Sequence, residues 1–379
     1  MPAPVLFGAV LACLGLAAYV YLGYPLLVGL LARWWGRPVK RGPAVGRVTV
    51  VISSFNDGAR LEAKIRALRA GPDYDRVEQI LVGLDGATDD TAARLAALAE
   101  PKLQVFAFPE RRGKPSVLND LVPRAAADVL VMTDARQILD DGAVTALLEN
   151  LADPEVGVVS GELVFTADGR PTPTAQGMRG YWGYEKWIRR QESRFRSVPG
   201  ATGALYAVRK SLFTPLPVDT ILDDVWVPMG AIRKGRRCCF EGRARAYDRP
   251  SEKAAQETRR KRRTLAGNLQ LIQLSPSLLN PGANPIWWEF ISHKLGRLLV
   301  GPALLMGWVI AGLGCENALL WVCWWTGWAF LALAGVGRVM AGLIGRGGWW
   351  SLPWSFLALS GVVFLAWRDV LTGRLNVRW

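Results

Sequence analysis

Two kinds of hydrophobic pattern divide this chain. Residues 5–34 are almost uninterruptedly apolar, broken by Pro25, and three further apolar stretches lie at 298–313, 318–337 and 349–367. Crossing a bilayer takes ~20 such residues, so both ends of the chain read as membrane segments, the first long enough to tilt or kink. Met1 to Pro4 carry no basic side chain and the first run exceeds a signal-peptide core, which favours a retained span over a cleaved leader. Just before the second apolar stretch, PIWWEFISHKLGR at 285–297 reads as an interfacial helix with Trp287 and Trp288 at headgroup depth.

Between these ends the pattern changes to short strand-like runs alternating with helical periods. VTVVISSFND at 48–57 is a buried strand running into a small-residue loop, and Leu61, Ile65 and Leu68 then recur at helical spacing. A second strand at 79–84 runs into DGATDD, where Asp89 or Asp90 is a natural cap for the helix at 91–99. A third strand at 103–108 is followed by RRGK and a helix at 116–126, and a fourth, VLVMTDAR at 129–136, ends in the carboxylate of Asp134. This βαβα alternation predicts an α/β fold with a mostly parallel sheet covered on both faces. Ligands then bind beyond the carboxyl ends of the strands. The organisation predicted is a membrane helix and basic linker at 1–47, a soluble domain at 48–275, and an interfacial helix with membrane segments at 276–379.

Composition narrows the chemistry. The 379 residues carry a net charge of +14, much of it Arg beside the apolar segments, which suits anionic headgroups and phosphorylated substrates better than nucleic acid. Five cysteines without metal spacing read as free thiols, and a single histidine, His293, excludes a His-based metal cluster and is read as structural. Chemistry therefore falls to carboxylates, Arg, Lys and a metal ion. No GxGxxG follows the first strand and no GxxxxGK[ST] appears, so dinucleotide binding and P-loop hydrolysis are both disfavoured. The basic cluster Arg33, Arg37, Lys40, Arg41 and Arg47 places the soluble domain on the cytoplasmic side.

Seven motifs in order, SSFND, LDGATDD, RRGKPSVLN, TDAR, GATGALYAVRK, ILDDVWVP and RRKRRTLAGN, resemble those of family 2 glycosyltransferases over about residues 48–273. The HKLGR segment and the apolar C-terminal stretches resemble the family's membrane-bound bacterial members, the cellulose and hyaluronan synthase-like group. The resemblance implies a GT-A fold and inverting transfer of a sugar from a nucleotide-diphosphate donor, a UDP-sugar by preference, at a bacterial inner membrane. It further implies donor binding by Ser54, Asn56, Asp57, Asp85, Lys114, Asp134, Arg260 and Arg263. Asp134 would hold a divalent cation, Mg or Mn, and Asp224 would be the catalytic base, supported by Asp223. Adjacent carboxylates raise one another's proton affinity, which suits that role.

Gly200, Gly203 and Trp182 are the acceptor candidates, for a saccharide or lipid-linked acceptor beside membrane lipids. Tyr181, Tyr184 and Trp187 share the stretch with Trp182, where aromatic rings fit either sugar stacking or an interfacial helix. The sequence departs from the family at two places. Arg136 stands at the third position of the DxD pattern, leaving one carboxylate for the metal, and Thr264 replaces the Trp of (Q/R)xxRW. The second change favours transfer of one or a few sugars over the alternative of a processive polysaccharide synthase. Both changes are what a non-catalytic nucleotide-sugar-binding component would show. Three C-terminal spans would also carry Arg368, Arg374 and Arg378 outside, against the positive-inside rule, unless one segment, such as that with Pro353, is re-entrant.

Overall fold

The structure is a computed structural model and describes residues 2–166, 179–249, 254–344 and 349–375. Among the described residues eight strands form one sheet: β1 (Val48–Ser54), β2 (Val77–Asp85), β3 (Leu103–Phe108), β4 (Val129–Met132), β5 (Ile138–Leu139), β6 (Val156–Phe165), β7 (Tyr206–Arg209) and β8 (Arg237–Asp248). Their order is β3-β2-β1-β4-β7-β6-β8-β5. β1 runs parallel to β2 and β4, β2 to β3, and β6 to β8, whereas β7 is antiparallel to both its neighbours and β5 pairs antiparallel at the edge. The sheet is thus mixed and mostly parallel. The predicted fourth strand stops at Met132 because the chain leaves the ladder after Thr133, whose N–H still reaches Val51 O at 3.3 Å.

The soluble helices are α2 (Gly58–Ala70), α3 (Thr91–Ala97), α4 (Lys114–Leu121), α5 (Ala143–Leu151), α6 (Arg179–Phe195), α7 (Asp223–Arg233) and α8 (Ala254–Leu274), with the membrane helix α1 (Ala3–Trp35) ahead of them. Period-two alternation gives each strand two cores. Val50 and Ile52 face Leu61 and Ile65 of α2 and Leu147 of α5. Val51, Leu130 and Met132 face Val117 and Leu121 of α4 and Val225 of α7. The helix predicted at 116–126 begins two residues earlier and becomes a 3-10 turn at Val122–Arg124, where Pro123 has no N–H for an α-helical bond.

Among the described residues four helices are long and apolar enough to cross a membrane: α1, α9 (Trp287–Leu313), α10 (Ala318–Ile344, apolar over Ala318–Met340) and α11 (Leu352–Leu371). Pro25 lacks the N–H that would bond Tyr21 O, and Tyr184 Oη donates to that oxygen at 2.6 Å. The expected disturbance at Pro25 is therefore a π-helical stretch at Tyr19–Gly23 that also docks α6. A β-carbon built on Gly29 of α1 would lie 2.9 Å from the Trp187 ring, so these two aromatic residues serve the membrane helix. His293 is structural, as expected: its ring lies between Glu192 (2.7 Å) and Glu185 (2.8 Å) of α6.

Gly83 of β2 lets α4 approach the sheet, since a β-carbon there would come 2.3 Å from Val117 Cγ1. Gly83→Ala is expected to destabilise the body by ~1–3 kcal/mol through overpacking. A lower Tm of the detergent-solubilised protein checks this; an unchanged Tm would show that α4 shifts freely.

Candidate active site

The site forms where β1, β2 and β4 end. Asn56, held at φ 52°, donates from Nδ2 to Thr88 Oγ1 (3.0 Å) and accepts from Thr88 N–H (2.9 Å), tying the first two strand-end loops together. Asp57 precedes α2 and pairs with Arg60 at 3.0 Å. Ser54 is buried, and its hydroxyl has no hydrogen-bond partner among the described residues. Asp90 holds the N-cap position of α3, while the Asp89 carboxylate accepts from Thr91 N–H and Oγ1.

Asp85 has a role that its sequence context did not reveal. Its carboxylate is buried and accepts from the backbone N–H groups of Arg112 (2.7 Å) and Gly113 (2.9 Å). Both oxygens are thus engaged by the loop that leads into Lys114, the first residue of α4. Lys114 Nζ lies 2.8 Å from Asp134 Oδ1 and 3.0 Å from Asp223 Oδ2. Burial would lower the lysine pKa, but Asp134 and Asp223 outweigh it and raise it above the ordinary range. Burial likewise works against ionised Asp134, yet Lys114, Arg136 and Lys64 hold its pKa below the usual value.

Asp223 and Asp224 occupy the first turn of α7, where the helix dipole favours negative charge. Gly203 N–H donates to Asp224 Oδ2 at 2.9 Å, and a β-carbon built on Gly203 would stand 3.5 Å from carboxylate oxygens of both Asp134 and Asp224. Gly200, at φ +135°, brings its loop against α7, with Ala201 N–H donating to Asp224 O at 2.7 Å. Burial first, and Asp223 second, push the Asp224 pKa up to about 6, against the pull of Lys114 and Lys294. That is a proton affinity suited to a general base.

Two faces of α8 carry different duties, as the run of basic residues allowed. The charges of Asp223, Asp134 and Asp224 act on Arg263, and those of Asp248 and Asp134 act on Arg260; burial holds both guanidinium pKa values below the ordinary range. Arg262 turns the other way and forms a two-pronged ion pair with Asp369 of α11. Arg136 pairs with Asp248 at 3.0 Å, at the end of β8, while its charge also acts on Asp134. Trp182 packs on Phe165 (5.7 Å between rings), which lies opposite Asp248 in the sheet, so it stands on the outer, Arg136 side of the site. The Tyr181 side chain lies outside the described residues.

Lys64 was missed by reading the sequence. It is buried, donates to Thr133 Oγ1 (2.8 Å) and Gln137 O (2.6 Å), and burial pushes its pKa down to about 7. Its position in the apolar stripe Leu61, Lys64, Ile65, Leu68 was the available signal. Lys294 was missed as well; a β-carbon on Gly200 would lie 3.6 Å from its Nζ. Nothing local in the sequence marks that proximity.

Among the described residues no group of three or more His, Cys, Asp or Glu is placed to hold a metal ion. Asp134, with one oxygen on Lys114 and the other towards Gly203, suits a different arrangement. Mg²⁺ is commonly held by one or two carboxylates together with phosphate oxygens, so Asp134 would hold such an ion only together with a bound diphosphate.

Comparisons with known proteins bear on the family and the fold. Residues 49–215 match the family Glycosyl transferase family 2. An N-acetylglucosaminyltransferase of Azorhizobium caulinodans is 28% identical over 177 residues, 46% of this chain and 45% of that protein. A poly-beta-1,6-N-acetyl-D-glucosamine synthase of Staphylococcus aureus is 29% identical over 119 residues, 30% of this chain and 28% of that one. The chain thus spans less than half the length of these relatives. A mannosyltransferase from Pyrobaculum calidifontis, solved with GDP-Man and Mn²⁺, superposes with a TM-score of 0.71 at 20% identity, covering 96% of this chain and 99% of that one, a likeness of fold. The chain carries a glycosyltransferase family 2 domain of GT-A fold, joined to helices long and apolar enough to cross a membrane.

Proposed function

We propose that the chain transfers a sugar with inversion from a nucleotide-diphosphate sugar to a saccharide or lipid-linked acceptor at the cytoplasmic face of a bacterial inner membrane. The names of the relatives favour N-acetylglucosamine as the sugar, for which the UDP-sugar is the donor proposed. The observation that carries this reading is the arrangement around Lys114: a cation between Asp134 and Asp223, with Asp224 on the adjoining turn against Gly203. Asp224 takes the proton of the acceptor hydroxyl as its oxygen bonds to the anomeric carbon. The bond to the diphosphate breaks on the opposite side, and the departing charge meets Lys114 and Arg263, the latter suited to a bidentate grip. A divalent ion held by Asp134 would add further positive charge to that leaving group. Strand-end residues Ser54 to Asp57 would receive the base and ribose, and Asp85 would act through the loop it holds.

Thr264 is exposed on α8 and offers no aromatic platform, which supports transfer of one or a few sugars over processive synthesis. Product length separates the two.

Nucleotide release from UDP-, GDP- and dTDP-sugars, measured with Mn²⁺ or Mg²⁺ and membrane lipid extract, tests the reading. UDP release from UDP-N-acetylglucosamine is expected, reduced ~10²–10⁴-fold in Asp224→Asn. Donor binding without release by the unsubstituted protein would favour a non-catalytic component instead. The rate should rise as pH passes through about 6 and level off above it, because the base works only when ionised; a flat profile across that range would remove Asp224 from the role. Chelation of divalent ions should depress release, and Asp134→Asn should raise the Mn²⁺ concentration needed for half-maximal rate.

A further inference from the structure

The four apolar helices do not all stand the same way. α1 and α9 run side by side in opposite directions, with Gly296 against Val20 and Gly307 against Cys13. α10 returns along α9: Trp308 stacks on Trp324 (4.8 Å, 17°) and meets Trp328 edge-on at 5.1 Å. Continued at the same register, Arg338 of α10 comes level with residues around Leu298 of α9, near the catalytic body.

α11 stays at that level along its length. Near its start, Trp354 lies under the Arg338 guanidinium at 4.6 Å. At its middle, Ser360 Cβ is 3.4 Å from a β-carbon built on Gly301. Towards its end, Trp367 Nε1 donates to Leu298 O at 3.1 Å. From Ser360 to Trp367 the helix advances about 10 Å, while Leu298 and Gly301 are only about 4.5 Å apart along α9. α11 therefore crosses α9 steeply. Its last turn reaches the catalytic body, where Asp369 pairs with Arg262 of α8 and Trp367, Val370 and Leu375 pack against the body's core. An upright helix of this length would set its ends about 30 Å apart in depth.

We propose that α11 lies along the membrane surface on the side of the catalytic body instead of crossing the bilayer, with anionic lipid headgroups against Arg338 and Arg368. The lipid surface is the occupant that the exposed face fits. In the second half of α11, Gly361, Phe364, Arg368 and Leu371 share one exposed face, opposite Val362, Val363 and Ala366, which turn to the protein. Arg338 and Arg368 are exposed, and Trp354 and Trp367 sit at the same level, the residue types that gather at a bilayer boundary. The placement also removes the charge conflict in the sequence, because Arg368 and Arg374 then share a side with Arg33, Arg37 and Lys40. Arg378 lies outside the described residues.

The test uses the full chain with one epitope tag before Met1 and another after Trp379, in sealed vesicles that expose the catalytic body. Added protease should remove the C-terminal tag while it cuts the catalytic body and leave the N-terminal tag intact. Protection of both tags would overturn the proposal. Depth is read independently from nitroxides at Leu357→Cys, Phe364→Cys and Leu371→Cys, which share one side of the helix, in a cysteine-free background. Three similar, shallow depths are expected. A label at position 364 near the bilayer centre, flanked by shallower ones, would overturn the proposal even with the C-terminal tag accessible.

Discussion

The site depends on one ammonium group shared by two carboxylates. Asp134, Asp223 and Asp224 come from two separated segments and converge where their side chains are largely covered, so that like charges resist being ionised together. Lys114 between Asp134 and Asp223 makes that convergence tolerable. Asp224, with a backbone N–H on one oxygen and a second carboxylate next to it, is left with the raised proton affinity. The distribution of charge and the division of roles have the same origin.

Lys114 is held in turn by the fold beneath it. Asp85 grips the backbone of the preceding loop, and Gly83, two residues earlier on the same strand, allows α4 to lie close to the sheet. On the other side, buried Lys64 ties Thr133 to Gln137 and stiffens the turn that presents Asp134. A buried lysine with a lowered pKa is costly, and its two hydrogen bonds and the nearby carboxylates offset part of that cost. The strand-end loops are thus shaped by polar contacts from below before any ligand reaches them.

The membrane helices are joined to the same site. Tyr24 of α1 donates to Glu192 of α6, His293 of α9 lies between Glu192 and Glu185, and Arg297 pairs with Glu185 at 2.6 Å. These groups knit α1, α6 and α9 into one unit at the edge of the apolar region. The π-helical turn Phe290–Leu295 includes both His293 and Lys294, so adjacent residues reach different targets: His293 the glutamates of α6, Lys294 the loop at Gly200. Removing one partner from such a buried charged cluster is expected to cost more than the net worth of the pair, because the other charge stays buried. α11 adds a second link through Asp369 and Arg262 on the outer face of α8.

Much of this was legible in the chain alone, for local reasons. Apolar runs and their lengths marked the helices long enough to cross a membrane, alternation marked the α/β body, and the order of short motifs pointed to Asp134, Lys114, Asp223 and Asp224, which the fold gathers at the strand ends. What the sequence could not supply were relations between distant segments. That Asp85 spends its carboxylate on the lysine loop, that Arg136 is engaged by Asp248, and that Tyr184 and Trp187 serve α1 depend on contacts across 27 to 163 positions or on a neighbouring strand's end. Hydrophobic length likewise shows only that a helix could cross a bilayer. The level at which α11 meets its neighbours is set by side-chain packing in three dimensions, and period and composition carry no record of it.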